Sequence, residues 1–317
     1  GRPHGSRTPR SRWKPRRAMP RHRPISSVRS FRPYHNLPKS TLQALIGAVV
    51  AAVIVVFAVV FFMGGPATPQ EQFKETIKTV VSTDKYLEQM ASGFKFSNSK
   101  KELLKNHYKE LFDDEMIDYL TKELDKKGLF ANKKENKNQS LWLSTSMQIF
   151  NALSLQGLRR LTPDDREKSM VFNRYLVKTL SPRDCKMFVN GDRRLFASTS
   201  FQSGSARAFE KMTDEEYAGY LSSLRNAFKA EIRDNPKRVE VTEGQKEKIQ
   251  ALLSDAIDEE LNKQPAGLKA RLQRAADDLD RANPVDACKF GRIIYDAAAS
   301  ITNPEDRDLV NKILLTD

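Results

Sequence analysis

The sequence predicts an all-α protein: a single transmembrane helix followed by a multi-helix soluble domain. Three observations predict it. Leu42–Met63 is a run of twenty-two residues without a charge. From Thr68 onward, caps of Thr or Asn followed by Pro or acidic residues recur, each with apolar residues behind it at helical spacing. The one strand-like piece, Arg238-Val-Glu-Val241, is too short to count.

Residues 1–40 come first. They hold ten Arg and two Lys with no Asp or Glu, so +12 of the total +14 sits there. They also hold seven of the fifteen prolines. Such a segment buries too little apolar surface to offset chain entropy, and it is expected to be a disordered tail. Arg12, Lys14, Arg16, Arg17, Arg21 and Arg23 are its candidates for lying on anionic headgroups, at about 1 kcal/mol per basic residue near the surface. The same charge would attract nucleic acid through phosphates. No nucleic-acid-reading fold accompanies it, so that partner is disfavoured.

Residues 41–64 follow as the span. About 20 residues of α-helix cross a hydrocarbon core of roughly 30 Å, and a cleaved secretory signal has a shorter apolar core. Basic residues flanking a span stay on the cytoplasmic side. The expectation is an uncleaved signal anchor, with the N-terminus inside and residues 66–317 outside. Ala44, Gly47, Ala48, Ala51 and Ala52 put small side chains at a spacing that lets two helices approach closely, which makes homodimerisation through the span a candidate property.

Residues 65–136 read as a membrane-proximal helical segment. Thr68-Pro69-Gln70-Glu71 is a capping box with Pro at the first helical position. Phe73, Ile77, Val80 and Val81 continue it. Leu103, Leu104, Tyr108, Leu111 and Phe112 set a second helical pattern that runs into Met116, Ile117, Leu120 and Leu124, with a stop at Gly128. Residues 131–140 are polar and of low complexity, as a linker is. Residues 137–317 form the helical domain. Helices are expected over Leu141–Leu158, from Thr162-Pro163, from Thr213, from Thr242, over Ala266–Arg281, and from Asn283-Pro284 and Asn303-Pro304.

Two short likenesses stand out. Pro182-Arg-Asp-Cys185-Lys186 resembles Pro284-Val-Asp-Ala-Cys288-Lys289, and Thr162-Pro-Asp-Asp-Arg166-Glu167 resembles Asn303-Pro-Glu-Asp-Arg307-Asp308. Shared helix-start chemistry accounts for most of both. Cys185 and Cys288 are the only cysteines. An even count in an exported domain predicts a disulfide.

Catalytic signatures are sparse. Ser82-Thr-Asp-Lys85 and Ser97-Asn-Ser-Lys100 match Ser-x-x-Lys, but the Lys-Thr-Gly partner of that motif is absent. His107 is the one histidine beyond the tail, on an apolar helical face. No metal-binding pattern is present, and no cofactor is expected. The acidic clusters Asp113-Asp114-Glu115, Asp164-Asp165, Glu259-Glu260 and Asp277-Asp278 read mostly as first-turn charges. The most unusual external stretch runs from Arg193 to Arg207. Its Arg193, Arg194, Phe196, Phe201 and Arg207 form a candidate loop for an anionic ligand or a partner peptide.

These features point to a membrane-anchored scaffold or accessory subunit of a cell-envelope assembly, with membrane lipid and a protein as its partners. The Lys/Glu/Asn-mixed helices suit a bacterial inner membrane with a periplasmic domain. The alternatives are an anchored periplasmic hydrolase of cell-wall material, with a Glu as acid, and a membrane-tethered nucleic-acid binder.

Overall fold

The computed structural model describes residues 68–85, 87–88, 95–130, 139–192, 194–195 and 198–316, which form twelve helices of eight residues or more. In chain order these are α1 (Pro69–Ser82), α2 (Asn98–Leu111), α3 (Asp114–Lys126), α4 (Gln139–Leu158), α5 (Pro163–Thr179) and α6 (Pro182–Val189). They continue with α7 (Thr199–Lys211), α8 (Asp214–Ile232), α9 (Glu243–Asn262), α10 (Ala266–Asp277), α11 (Pro284–Ser300) and α12 (Pro304–Thr316). The expected all-α class holds for the described residues, among which there is no strand. None of these helices is long and apolar enough to cross a membrane. The expected span and the tail both lie outside the described residues.

The caps do their work locally. Thr68, Thr213 and Thr242 each close a capping box with Glu71, Glu216 and Gln245. Thr162, Ser181 and Asn283, of which Ser181 alone is not among the caps read from the sequence, accept from the third backbone N–H of helices that open on proline. Each such cap contributes about 1 kcal/mol. The C-terminal end of α8 closes differently. Asp234 takes a positive φ of 51°, and Asn235 N–H reaches back to Ala230 O at 3.0 Å. This is the left-handed closure usually given to glycine.

Packing is organised by two central helices. α8 lies against α2, α3, α4 and α5, while α11 lies against α5, α6, α9, α10 and α12. α5 touches both and ties the two groups together. Its Phe172 stacks on Phe209 of α7 at 4.7 Å and on Tyr220 of α8 at 4.5 Å between centroids. On the other side of α8, Phe150 meets Phe228 edge-on at 5.7 Å and Phe112 at 5.8 Å. The helices before and after residues 131–138 therefore share one apolar core, running from Phe73 and Ile77 to Val310 and Leu314.

Several expected boundaries moved. Helix α7 occupies most of the stretch read as a loop, because Phe201, Ser205, Ala208 and Phe209 form a buried face at helical spacing. α10 ends at Asp277 instead of Arg281, where Asp278 turns extended. Val239 N–H donates to Arg159 O at 2.8 Å, which holds the strand-like piece against the end of α4 without a ladder. Glu259-Glu260 and Asp277-Asp278 lie near helix C-termini, not in first turns. Lys263 answers the first pair.

Candidate functional site

The two cysteine-bearing segments meet. Cys185 on α6 and Cys288 on α11 lie at disulfide distance, with Sγ–Sγ 2.18 Å and Cα–Cα 5.2 Å. Both are fully packed, at 0% and 2% exposure. Lys186 beside Cys185 donates to Asp280 O (2.8 Å) and Ala282 O (2.7 Å), clasping the turn that leads into α11. The second likeness also becomes a contact. Arg166 on α5 forks onto Asp308 of α12 at 2.7 and 2.9 Å, and Arg307 on α12 reaches back to Glu167 of α5 at 3.1 Å. Burial opposes ionisation of Asp308, but Arg166 and Lys312 outweigh it and hold its carboxyl below the usual range. The order of the two motifs is swapped between α5–α6 and α11–α12, so the likeness is not a tandem copy of a hairpin.

The end of α5 gathers cations. Arg207 of α7 donates Nη2 to Thr179 O at 2.9 Å, and Arg292 of α11 donates Nε to Val177 O at 3.0 Å. Lys178 lies 2.8 Å from Asp296 Oδ1, and Arg174 Nε lies 3.7 Å from the same oxygen. Arg183, in the first turn of α6, is exposed. Lys289 is exposed too, one turn before Arg292 and two before Asp296 on α11. The other carboxylates of these helix starts are buried and engaged. Asp184 accepts from Ser181 Oγ at 2.7 Å, and Asp286 accepts from Arg271 and Asn283 at 2.5 and 2.6 Å. Cations suit a helix C-terminus, where the backbone dipole is negative. Four of these cations touch the α5 end or Asp296, and Arg183 and Lys289 flank the Cys185–Cys288 pair, whose sulfurs lie 3.5 and 3.9 Å from Val177 O.

The residues singled out in the sequence divide as follows. Of the Arg193–Arg207 stretch, Arg194 pairs with Asp192 (2.6 Å) and points outward. Phe201 is buried in the core. Arg207 joins the cation cluster, and Arg193 and Phe196 lie outside the described residues. So do Arg12, Lys14, Arg16, Arg17, Arg21 and Arg23 of the tail, and Ala44, Gly47, Ala48, Ala51 and Ala52 of the expected span. Sequence reading missed Arg174, Lys178, Arg183, Lys289 and Arg292, because they are spread over more than a hundred residues with no common motif. The one trace was the return of arginine after residue 158.

The catalytic alternatives meet structural roles. Ser97 caps α2, while Lys100 turns away to donate to Phe209 O, Glu210 O and Met212 O at 2.9, 2.9 and 2.5 Å. With all three protons committed to carbonyls, its nitrogen has no lone pair to offer the serine. His107 is 3% exposed, and burial, with Arg225 nearby, pulls its pKa down to about 3. Among the described residues, no three metal-ligating side chains come together. No known family model, characterised protein or solved structure matches this chain.

Proposed function

We propose that this chain is a bitopic, membrane-anchored scaffold or accessory subunit of a bacterial cell-envelope assembly. The tail would face the cytoplasm and the helical domain the periplasm, where it binds a partner protein. The observation that carries this reading is the uncharged run Leu42–Met63 directly behind a tail of +12. The distribution fits one span oriented by its basic flank. The Cys185–Cys288 pair is in keeping with an oxidising compartment, since cytosolic thiols are held reduced. The small face at Ala44, Gly47, Ala48, Ala51 and Ala52 offers a route to a homodimer within the membrane.

Protease added to cells with a permeabilised outer envelope tests the topology. The expected result is digestion of residues beyond the span and protection of the tail, with a mobility shift on reduction from Cys185–Cys288. A chain protected throughout, or recovered without the crosslink from intact cells, would sink the proposal. Hydrolysis of purified cell-wall polymer, lost on a single Glu→Gln change, would replace the scaffold by the anchored enzyme.

A further inference from the structure

We infer that the cation cluster at the end of α5 is the surface through which the domain takes hold of its partner, and that the partner presents an acidic, carboxylate-bearing segment. The inference rests on the scaffold reading and deepens it. Four of the six side chains, Lys178, Arg183, Arg207 and Lys289, are exposed, and they come from four different helices. Asp296 is shared between Lys178 and Arg174, and Asp184 and Asp286 are already engaged. The charge of the cluster is therefore not cancelled from within. It stands on a domain that is otherwise near balance, since residues 41–317 carry +2 of the total. A local excess on a balanced body selects an anion by position and speeds its approach.

The spread of the charges points to an extended occupant instead of a single small anion. Arg207 and Arg292 each spend part of a guanidinium on a helix carbonyl, at 2.9 and 3.0 Å. Those bonds fix their forks in place and leave further N–H groups for carboxylates, which guanidinium planes match two atoms at a time. The membrane is the less fitting occupant because of where the tether ends. Thr68 follows Met63 by five residues, so α1 starts within about 18 Å of the end of the span. The main packing partners of α1 are α2 and α3, which carry none of the cluster. In the proposed topology the tether enters at α1, while the cations belong to other helices.

The test uses the full chain in nanodiscs of zwitterionic lipid. Arg12, Lys14, Arg16, Arg17, Arg21 and Arg23 are changed to Gln to remove the tail's own attraction. The probe is a fluorescent oligoglutamate peptide, followed by anisotropy at low and at physiological salt. Arg183→Glu with Lys289→Glu should weaken binding about tenfold and flatten its salt dependence, while helicity and melting temperature stay unchanged. Unchanged affinity in this double variant would overturn the inference. Displacement of the peptide by inorganic phosphate at matched ionic strength, or cluster-dependent binding to phosphatidylglycerol vesicles, would also overturn it in favour of phosphate. The topology experiment fails independently: a chain protected from protease throughout would end the anchoring reading and leave the peptide measurement standing.

Discussion

Buried cations set the strength of this molecule at the residue scale. Lys100 is 6% exposed and binds the last carbonyls of α7, so α2 is tied to a helix more than a hundred residues away. Lys100→Met keeps the stem and leaves three carbonyls unpaired. It is expected to cost about 2–3 kcal/mol, read from urea denaturation of the domain; a change within a few tenths would show that water replaces the ammonium. Arg160 plays the same part for the α8 closure, donating to Glu231 at 2.6 Å and Pro236 O at 2.7 Å, with Asp234 as its third partner. His107 gives the molecule a pH dependence. Its folded pKa of about 3 lies below the unfolded value of 6.5. The unfolded chain therefore binds the proton first as pH falls, and stability present above pH 6.5 is lost toward pH 3, at up to about 1.4 kcal/mol per unit. His107→Leu should flatten that slope in melting curves across this window, and an unaltered slope would assign it to the carboxylates instead.

At the scale of elements, the crossing of α4 and α8 is decided by one absent side chain. A Cβ on Gly157 would lie 2.2 Å from the Ala227 carbonyl oxygen, so α4 and α8 touch backbone to backbone. Backbone cannot swing aside as a side chain tip can. Gly157→Ala is expected to cost about 2–3 kcal/mol or more, and an unchanged melting temperature would mean the crossing is looser than described. Gly267 on α10 faces open space, so Gly267→Ala should be neutral or stabilise by up to about 1 kcal/mol. Caps and apolar spacing made most helices readable from local sequence, because a cap needs only its own first turn. α7 was not readable in this way. Its Ser- and Gly-rich face looks like a loop, and only burial of Phe201 in the core and of Phe209 against α5 and α8 selects the helix.

On the scale of the whole molecule, closure comes from long-range ties. The Cys185–Cys288 bond spans a sequence separation of 103 and anchors α6 to α11. Replacing both cysteines by Ala is expected to lower stability by about 4 kcal/mol in the chain-entropy account, with unfolding at lower urea and a fold that is otherwise retained. Equal stability with and without the bond would make the helix packing sufficient alone. The reciprocal pairs Arg166–Asp308 and Arg307–Glu167 hold α12 to the other end of α5, near its start. The basic tail and the uncharged run, which carry the proposed role, lie outside the described residues.

By itself the sequence determined the all-α class, the helix starts marked by a Thr or Asn cap, the cysteine pair and the concentration of charge in the first forty residues. Each of these depends on neighbours within a turn or on simple counting. Tertiary structure alone decided that the segments on either side of residue 135 share one core, that the two short likenesses lie against each other, and that Arg174, Lys178, Arg207 and Arg292 converge near the end of α5. A helix pattern records which face is buried but not what buries it. Partners far apart along the chain are chosen by packing and by satisfying buried charges, and neither leaves a local trace.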